Sequence, residues 1–199
     1  MEIIAYGEDA LTLWALKEKL PEILELLDDD SNPADCQIFY RPSFGRGGRS
    51  KKMFGEFDFI LLATKTLYLG ESKWKGSNEK IKNNILQLQP NQEQRHRVFK
   101  CYVNEWAFGN YLSWHKFKGE KQEFFGVEIP NDNDGIARNL QTLLGIIKKH
   151  FTSEPVVNNV LLFLHDDTGK IPQKASSDFI VVPIDYSEAS FDNFIRLKL

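Results

Sequence analysis

The clearest hydrophobic pattern in the chain runs from Gly55 to Trp74, where two apolar stretches flank the polar Thr64-Lys65-Thr66. Side chains alternate across a strand. Glu56, Asp58, Ile60 and Leu62 therefore share one face of the first predicted strand, and Leu67, Leu69, Glu71 and Lys73 one face of the second. A turn on Thr64-Lys65, or a loop from Ala63 to Thr66, sets Leu62 opposite Leu67, Ile60 opposite Leu69 and Asp58 opposite Glu71. Upstream, Leu11, Trp14, Ala15, Leu20, Ile23, Leu24 and Leu27 recur at helical spacing and predict a helix from 8 to about 28, kinked or split at Pro21. A strand from Cys36 to Tyr40 precedes the hairpin.

Downstream, Ile81, Ile85 and Leu88 keep helical spacing up to Pro90, and a second helix is predicted from about Gln92 to Trp106. Residues 109–134 are the least regular. There Tyr111, Trp114 and Phe117 with Lys116 and Lys118 suggest an aromatic-basic surface, and Glu123 to Ile129 a strand. Asn131 to Gly135 lacks the closing Glu of a calcium loop and reads as a turn into an amphipathic helix from Gly135 to Phe151. Strands at Asn158–His165 and Asp178–Ile184 and a short helix from Ser187 to Leu197 complete the chain; His165-Asp166-Asp167 is a turn after a strand. This order predicts an α/β fold, a mixed β-sheet flanked by helices.

With 199 residues, the chain can bury one sizeable core, so one domain over 1–199 is expected. A net charge of −3 rules out global basicity, which leaves any nucleic-acid contact to a local patch. Cys36 and Cys101 form neither a disulfide framework nor a metal-ligand spacing, and they fit a reducing compartment. Glu2, Glu8 and Asp9 interrupt the N-terminal apolar residues, so no signal peptide is read there. No apolar run approaches the ~18 residues of a membrane span. The expectation is a cytoplasmic protein without a membrane partner.

Charge changes the meaning of the hairpin. Like charges directly opposed on a sheet destabilise it, so Asp58 and Glu71 need a cation, and Lys73 lies on the same face. A divalent metal satisfies both acids: Mg²⁺, with Mn²⁺ as a substitute, takes oxygen ligands of this kind, and the backbone carbonyl of Ser72 adds another. Such an ion polarises a phosphoryl oxygen and activates water, while Lys73 orients that water or neutralises developing charge. The bland alternative is a salt-bridged strand edge. Glu8 serves either as a helix-dipole partner or as a third acidic ligand. The glycine-rich loop 41–52 carries Arg41, Arg46, Arg49, Lys51 and Lys52. It is either a solvated loop or, with Lys75, a grip on the phosphate backbone. The run Gln94-Arg95-His96-Arg97 reads as a solvated helix face.

These residues resemble the PD-(D/E)xK, or restriction-endonuclease-like, nucleases, in which an Asp on one strand precedes Asp/Glu-x-Lys on the next. The matching residues are Asp58 and Glu71-Ser72-Lys73, with Glu8 on the preceding helix. Phe57 stands where the family often has Pro. The resemblance covers about residues 8–106, with 109–134 as an insertion, and implies a restriction-endonuclease-like core with helices on both sheet faces. It also implies Mg²⁺-dependent hydrolysis of phosphodiester bonds, DNA first, in restriction, defence or repair, with a homodimer allowed. The family also contains inactive relatives that bind nucleic acid or protein, the alternative function.

Overall fold

The structure is a computed structural model that describes residues 2–44, 55–75, 81–166, 170–191 and 194–198. Strand β1 (Glu2–Ala5) leads into α1 (Glu8–Glu18) and α2 (Leu20–Leu26). The predicted helix is split, because Pro21 sits in the first turn of α2, where its missing N–H is harmless. Strands β2 (Gln37–Tyr40), β3 (Phe59–Leu62) and β4 (Thr66–Trp74) follow. They join β9 (Val156–His165) and β11 (Ile180–Asp185) in a five-stranded sheet of order β11-β9-β4-β3-β2. Pairs β2·β3 and β3·β4 are antiparallel, whereas β4·β9 and β9·β11 are parallel. The sheet is therefore mixed, and the change of sense falls on β4.

The strand alternation divides the core. Phe59, Leu61 and Tyr68 pack with α1 and α2 residues such as Trp14 and Ile23. Ile60, Leu62, Leu67 and Leu69 pack with Val98 and Phe99 of α3 (Pro90–Cys101) and with Leu140, Leu144 and Ile147 of α5 (Gly135–His150). The class is α/β, with helices on both faces of the sheet. Among the described residues no helix is long and apolar enough to cross a membrane.

Several expectations are corrected. Residues 81–88 form no helix: β5 (Ile81–Lys82) and β6 (Ile85–Leu86) make a small hairpin. Its turn residues Asn83 and Asn84 have φ of 53° and 61°, the left-handed conformations that two-residue hairpin turns require. The helix expected to run to Trp106 ends in regular form at Cys101 and continues as a π-helical turn, Tyr102–Ala107. The aromatic-basic surface is also wrong: Trp114 and Phe117 are buried on one side of α4 (Trp114–Lys121) and belong to the core. The expected strand at 123–129 is the two-residue pair β7 (Glu123–Phe124) and β8 (Val127–Glu128). Before the C-terminal strands, β10 (Lys174–Ala175) pairs with β6.

The C-terminal helix is replaced by strands β12 (Ser190–Phe191) and β13 (Phe194–Lys198). β13 lies antiparallel to β1, at the other end of the chain. Ile195 and Leu197 are buried, while Phe194 and Arg196 are exposed, a period of two.

Gly70 faces Phe59 across β3·β4, and a Cβ there would stand 2.1 Å from the Phe59 ring. Phe59 is fully buried and has no room to withdraw. Gly70→Ala is therefore expected to destabilise the protein by about 3 kcal/mol, read as a lower urea midpoint at constant m; an unchanged midpoint would refute this packing.

Candidate active site

The predicted hairpin register is the observed one: Leu62 pairs with Leu67, Ile60 with Leu69 and Phe59 with Gly70. The ladder stops at Phe59, so Asp58 stands just beyond its end. There its Oδ2 accepts a hydrogen bond from the Ser72 amide at 2.7 Å. Among the described residues this is the one hydrogen bond to the Asp58 carboxylate. Burial, reinforced by the negative charge of Glu71, pushes the Asp58 carboxyl up to about 7.

Glu71 is buried far more deeply, at 1% exposure, and its surroundings differ. Three side chains of α3 donate to it: Arg95 Nη2 at 2.5 Å and His96 Nε2 at 2.9 Å, both to Oε1, and Gln92 Nε2 at 3.0 Å to Oε2. Burial alone would raise its carboxyl, but the His96 hydrogen bond and the Arg95 charge outweigh it and hold Glu71 below the ordinary range. His96 is itself anchored. Its Nδ1 lies 3.0 Å from Asn159 Oδ1 on β9, and Asn159 Nδ2 donates to the Asp178 carbonyl at 3.0 Å. That second bond fixes the amide orientation and turns Asn159 Oδ1 toward the ring.

This network corrects the reading of the α3 face as solvated. Gln92 and His96 are buried and Arg95 is nearly so. The sequence contained a signal: Gln92, Arg95 and His96 lie at i, i+3 and i+4, one side of a helix, next in order to a strand with an acid among apolar residues. Gln94 and Arg97 point elsewhere, to the Phe125 carbonyl and the Phe125 ring.

From the opposite face of the sheet, Glu8 at the start of α1 reaches the same strand end. Its Oε2 accepts from the Trp74 amide at 3.1 Å, and its Oε1 lies 3.7 Å from Lys73 Nζ. Glu8 is thus part of the cluster, not only a dipole partner. Asp58, Glu71, Lys73 and Glu8 converge at the C-terminal end of β4.

The cationic residues are more scattered. Arg41 is paired with Asp9 and with Glu56, its Nε donating to Glu56 Oε1 at 2.6 Å. Lys75 Nζ donates to Asp166 at 2.9 Å. Arg46, Arg49, Lys51 and Lys52 lie outside the described residues. Among the described residues no three His, Cys, Asp or Glu side chains form a ready metal cage. The donor set still suits a hard cation in kind. Asp58 is raised first by burial and then by the charge of Glu71 beside it, both of which a bound cation would offset. Mg²⁺ characteristically uses one or two carboxylates and takes its remaining oxygens from water and substrate phosphate.

Comparison with protein-family models, with curated proteins and with solved structures returns no match in any of the three. The fold and the site define an α/β protein with a mixed sheet and a buried acid–lysine cluster at one strand end.

The raised Asp58 carboxyl has a signed consequence. Between about 4 and 7 the folded state holds a proton on Asp58 that the unfolded state releases, so stability falls as pH rises through this window. At pH 8 the ionised group costs on the order of 4 kcal/mol. Asp58→Asn is expected to raise Tm at pH 8 by several degrees and to change it little near pH 3.5. Mg²⁺ in millimolar excess should raise the wild-type Tm and leave that of Asp58→Asn unmoved. A pH-independent difference between the two proteins would remove the account of a carboxyl raised by burial and by Glu71.

A second expectation concerns the anchor. His96→Leu leaves Glu71 a buried acid stripped of one donor, and a loss of about 3 kcal/mol is expected by chemical denaturation. The double variant Glu71→Gln/His96→Leu should recover part of it, and strict additivity would count against the pairing.

Proposed function

We propose that this chain is a metal-dependent nuclease on a restriction-endonuclease-like, PD-(D/E)xK core, hydrolysing phosphodiester bonds in nucleic acid, with DNA as the first candidate. The observation that carries this reading is the convergence of Asp58, Glu71, Lys73 and Glu8 on the end of one strand. Asp58 and Glu71 would hold the ion, with the Ser72 carbonyl and Glu8 as further oxygen donors. When bound, Mg²⁺ or Mn²⁺ polarises the phosphoryl oxygen and lowers the pKa of a water molecule.

The chain's own residues divide the remaining work. Glu71, locked by α3, keeps a negative charge at a fixed position. Asp58, with its raised affinity for protons, is the acid whose charge a cation would stabilise most. Lys73 is 8% exposed; its position on the face of Glu71 suits neutralising charge on the scissile phosphate. Lys75 and Arg41 would hold flanking phosphates in exchange for their present acidic partners.

One observation favours a second reading, a binding module of the same fold that does not cut. Glu71 already accepts three hydrogen bonds, as a purely structural acid would.

Activity separates the two. The wild-type protein is expected to degrade plasmid or single-stranded circular DNA with Mg²⁺ or Mn²⁺ and to stop with EDTA. Lys73→Met and Glu71→Gln should each lower the rate at least about 100-fold, with circular dichroism showing the fold retained. A protein that takes up Mn²⁺ yet cuts neither DNA nor RNA across a broad substrate panel would establish the binding module instead.

A further inference from the structure

A pocket of about 120 Å³ opens beside the cluster. Trp74, Tyr186 and Phe194 line it with Leu11 and Ile195, and Asp166 and Ser190 supply polar groups. Pockets for drug-sized ligands run to roughly 300–1,000 Å³, so this one admits little more than a single planar ring. The Tyr6 ring stands edge-on to Trp74 and to Phe194, with centroids 6.0 Å away in each case. Tyr6 is 61% exposed and Phe194 45%. Exposed aromatic rings around a ring-sized pocket are the parts of a base-stacking platform.

Its position relative to the reaction cluster is fixed by the chain. Trp74 directly follows Lys73, and its amide donates to Glu8; Tyr6 and Gly7 directly precede Glu8. Trp74 packs on the α1 face of the sheet. Glu8, which accepts from its amide and lies 3.7 Å from Lys73 Nζ, joins the pocket to the cluster at the strand end, so a phosphate held there has its neighbouring base within reach of Trp74. Lys75, whose Nζ donates to the pocket residue Asp166, complements a phosphate beside the ring. Asp166, at the pocket, is an acceptor of the kind that pairs with an exocyclic amino group of cytosine.

We infer that this pocket receives one unpaired nucleobase of the strand whose phosphate lies at Asp58, Glu71 and Lys73. The inference rests on the nuclease reading and adds the substrate class to it: single-stranded or frayed nucleic acid. A base held in a duplex has both faces stacked and cannot enter without leaving the helix. A protein partner fits less well, because a stable interface needs at least about 1,200 Å² and this platform is a few rings bordered by the Lys75–Asp166 ion pair.

The test is binding, measured by fluorescence anisotropy with Ca²⁺ in place of Mg²⁺. The probes are a 12-mer oligodeoxycytidylate, an abasic strand of the same length and charge, and a blunt duplex of twelve pairs. The wild-type protein should bind the base-bearing strand about tenfold more tightly than the abasic one, and the duplex no better than the abasic strand. Phe194→Ala and the pocket-filling Ser190→Phe should each abolish that tenfold difference without weakening abasic binding, with the fold checked by circular dichroism. Equal affinity for the two single strands, or a difference that survives in both variants, overturns the base pocket and leaves the nuclease reading standing. Failure to bind or cut any of the three overturns both. A wild-type dimer in sedimentation that Phe194→Ala dissociates would assign the rings to a second copy and overturn the inference.

Discussion

A carboxylate at the centre of an apolar sheet is the constraint around which this molecule is arranged. Glu71 pairs with Leu161 of β9, one residue beyond the last pair with β3, and is almost completely shielded from water. An isolated ionised carboxylate in such a place costs several kcal/mol even after the protein relaxes, so it persists only with charged and hydrogen-bonded partners. Helix α3 supplies them from one side, and the same helix buries Val98 and Phe99 in the core below. Asn159 on β9 and the Asp178 carbonyl then orient His96. Removing any link leaves a buried group unsatisfied. The hairpin, α3, β9 and the segment before β11 are therefore coupled through one charge.

The two acids of the hairpin are held in opposite electrostatic states. Glu71 is surrounded by donors and kept ionised; Asp58 receives one amide and feels the charges of Glu71 and Glu8. Environments that push two neighbouring carboxyls apart in this way mark sites where each has its own task. A purely structural ion-pair network has no need for the second acid. Packing cannot account for Asp58 either, because an amide or an alanine would fill its place without the repulsion.

Much of the hairpin was legible because a period of two, once anchored at a short polar turn, leaves a single register. Leu62–Leu67 and Ile60–Leu69 follow from that alone. Other segments were not legible, for physical reasons. Ile81, Ile85 and Leu88 satisfy a helical period by coincidence, and the Asn83-Asn84 pair that breaks it tolerates left-handed backbone better than most residues. Residues 194–198 form a strand because β1, nearly two hundred residues away, offers an edge; strand preference depends on such context more than on local propensity. Trp114 and Phe117, three apart on α4, pack inward together, where composition alone suggested a surface. The donors to Glu71 were visible as residues and invisible as partners, since the same i, i+3, i+4 pattern describes any exposed polar face.

The end of β4 is also where distant parts of the chain meet. β4 runs parallel to β9 and antiparallel to β3, so β9 ends and β3 begins beside its carboxyl end. Here that end is served from both faces, by Glu8 of α1 and by the α3 network, and its rim is closed by the ribbon of β1 and β13. The two extremes of the chain thus meet beside Trp74, where Tyr6 and Phe194 pack edge-on. No local pattern in the sequence specifies that meeting. It follows from pairing β1 with β13, and it places aromatic rings one residue from the lysine of the acid cluster.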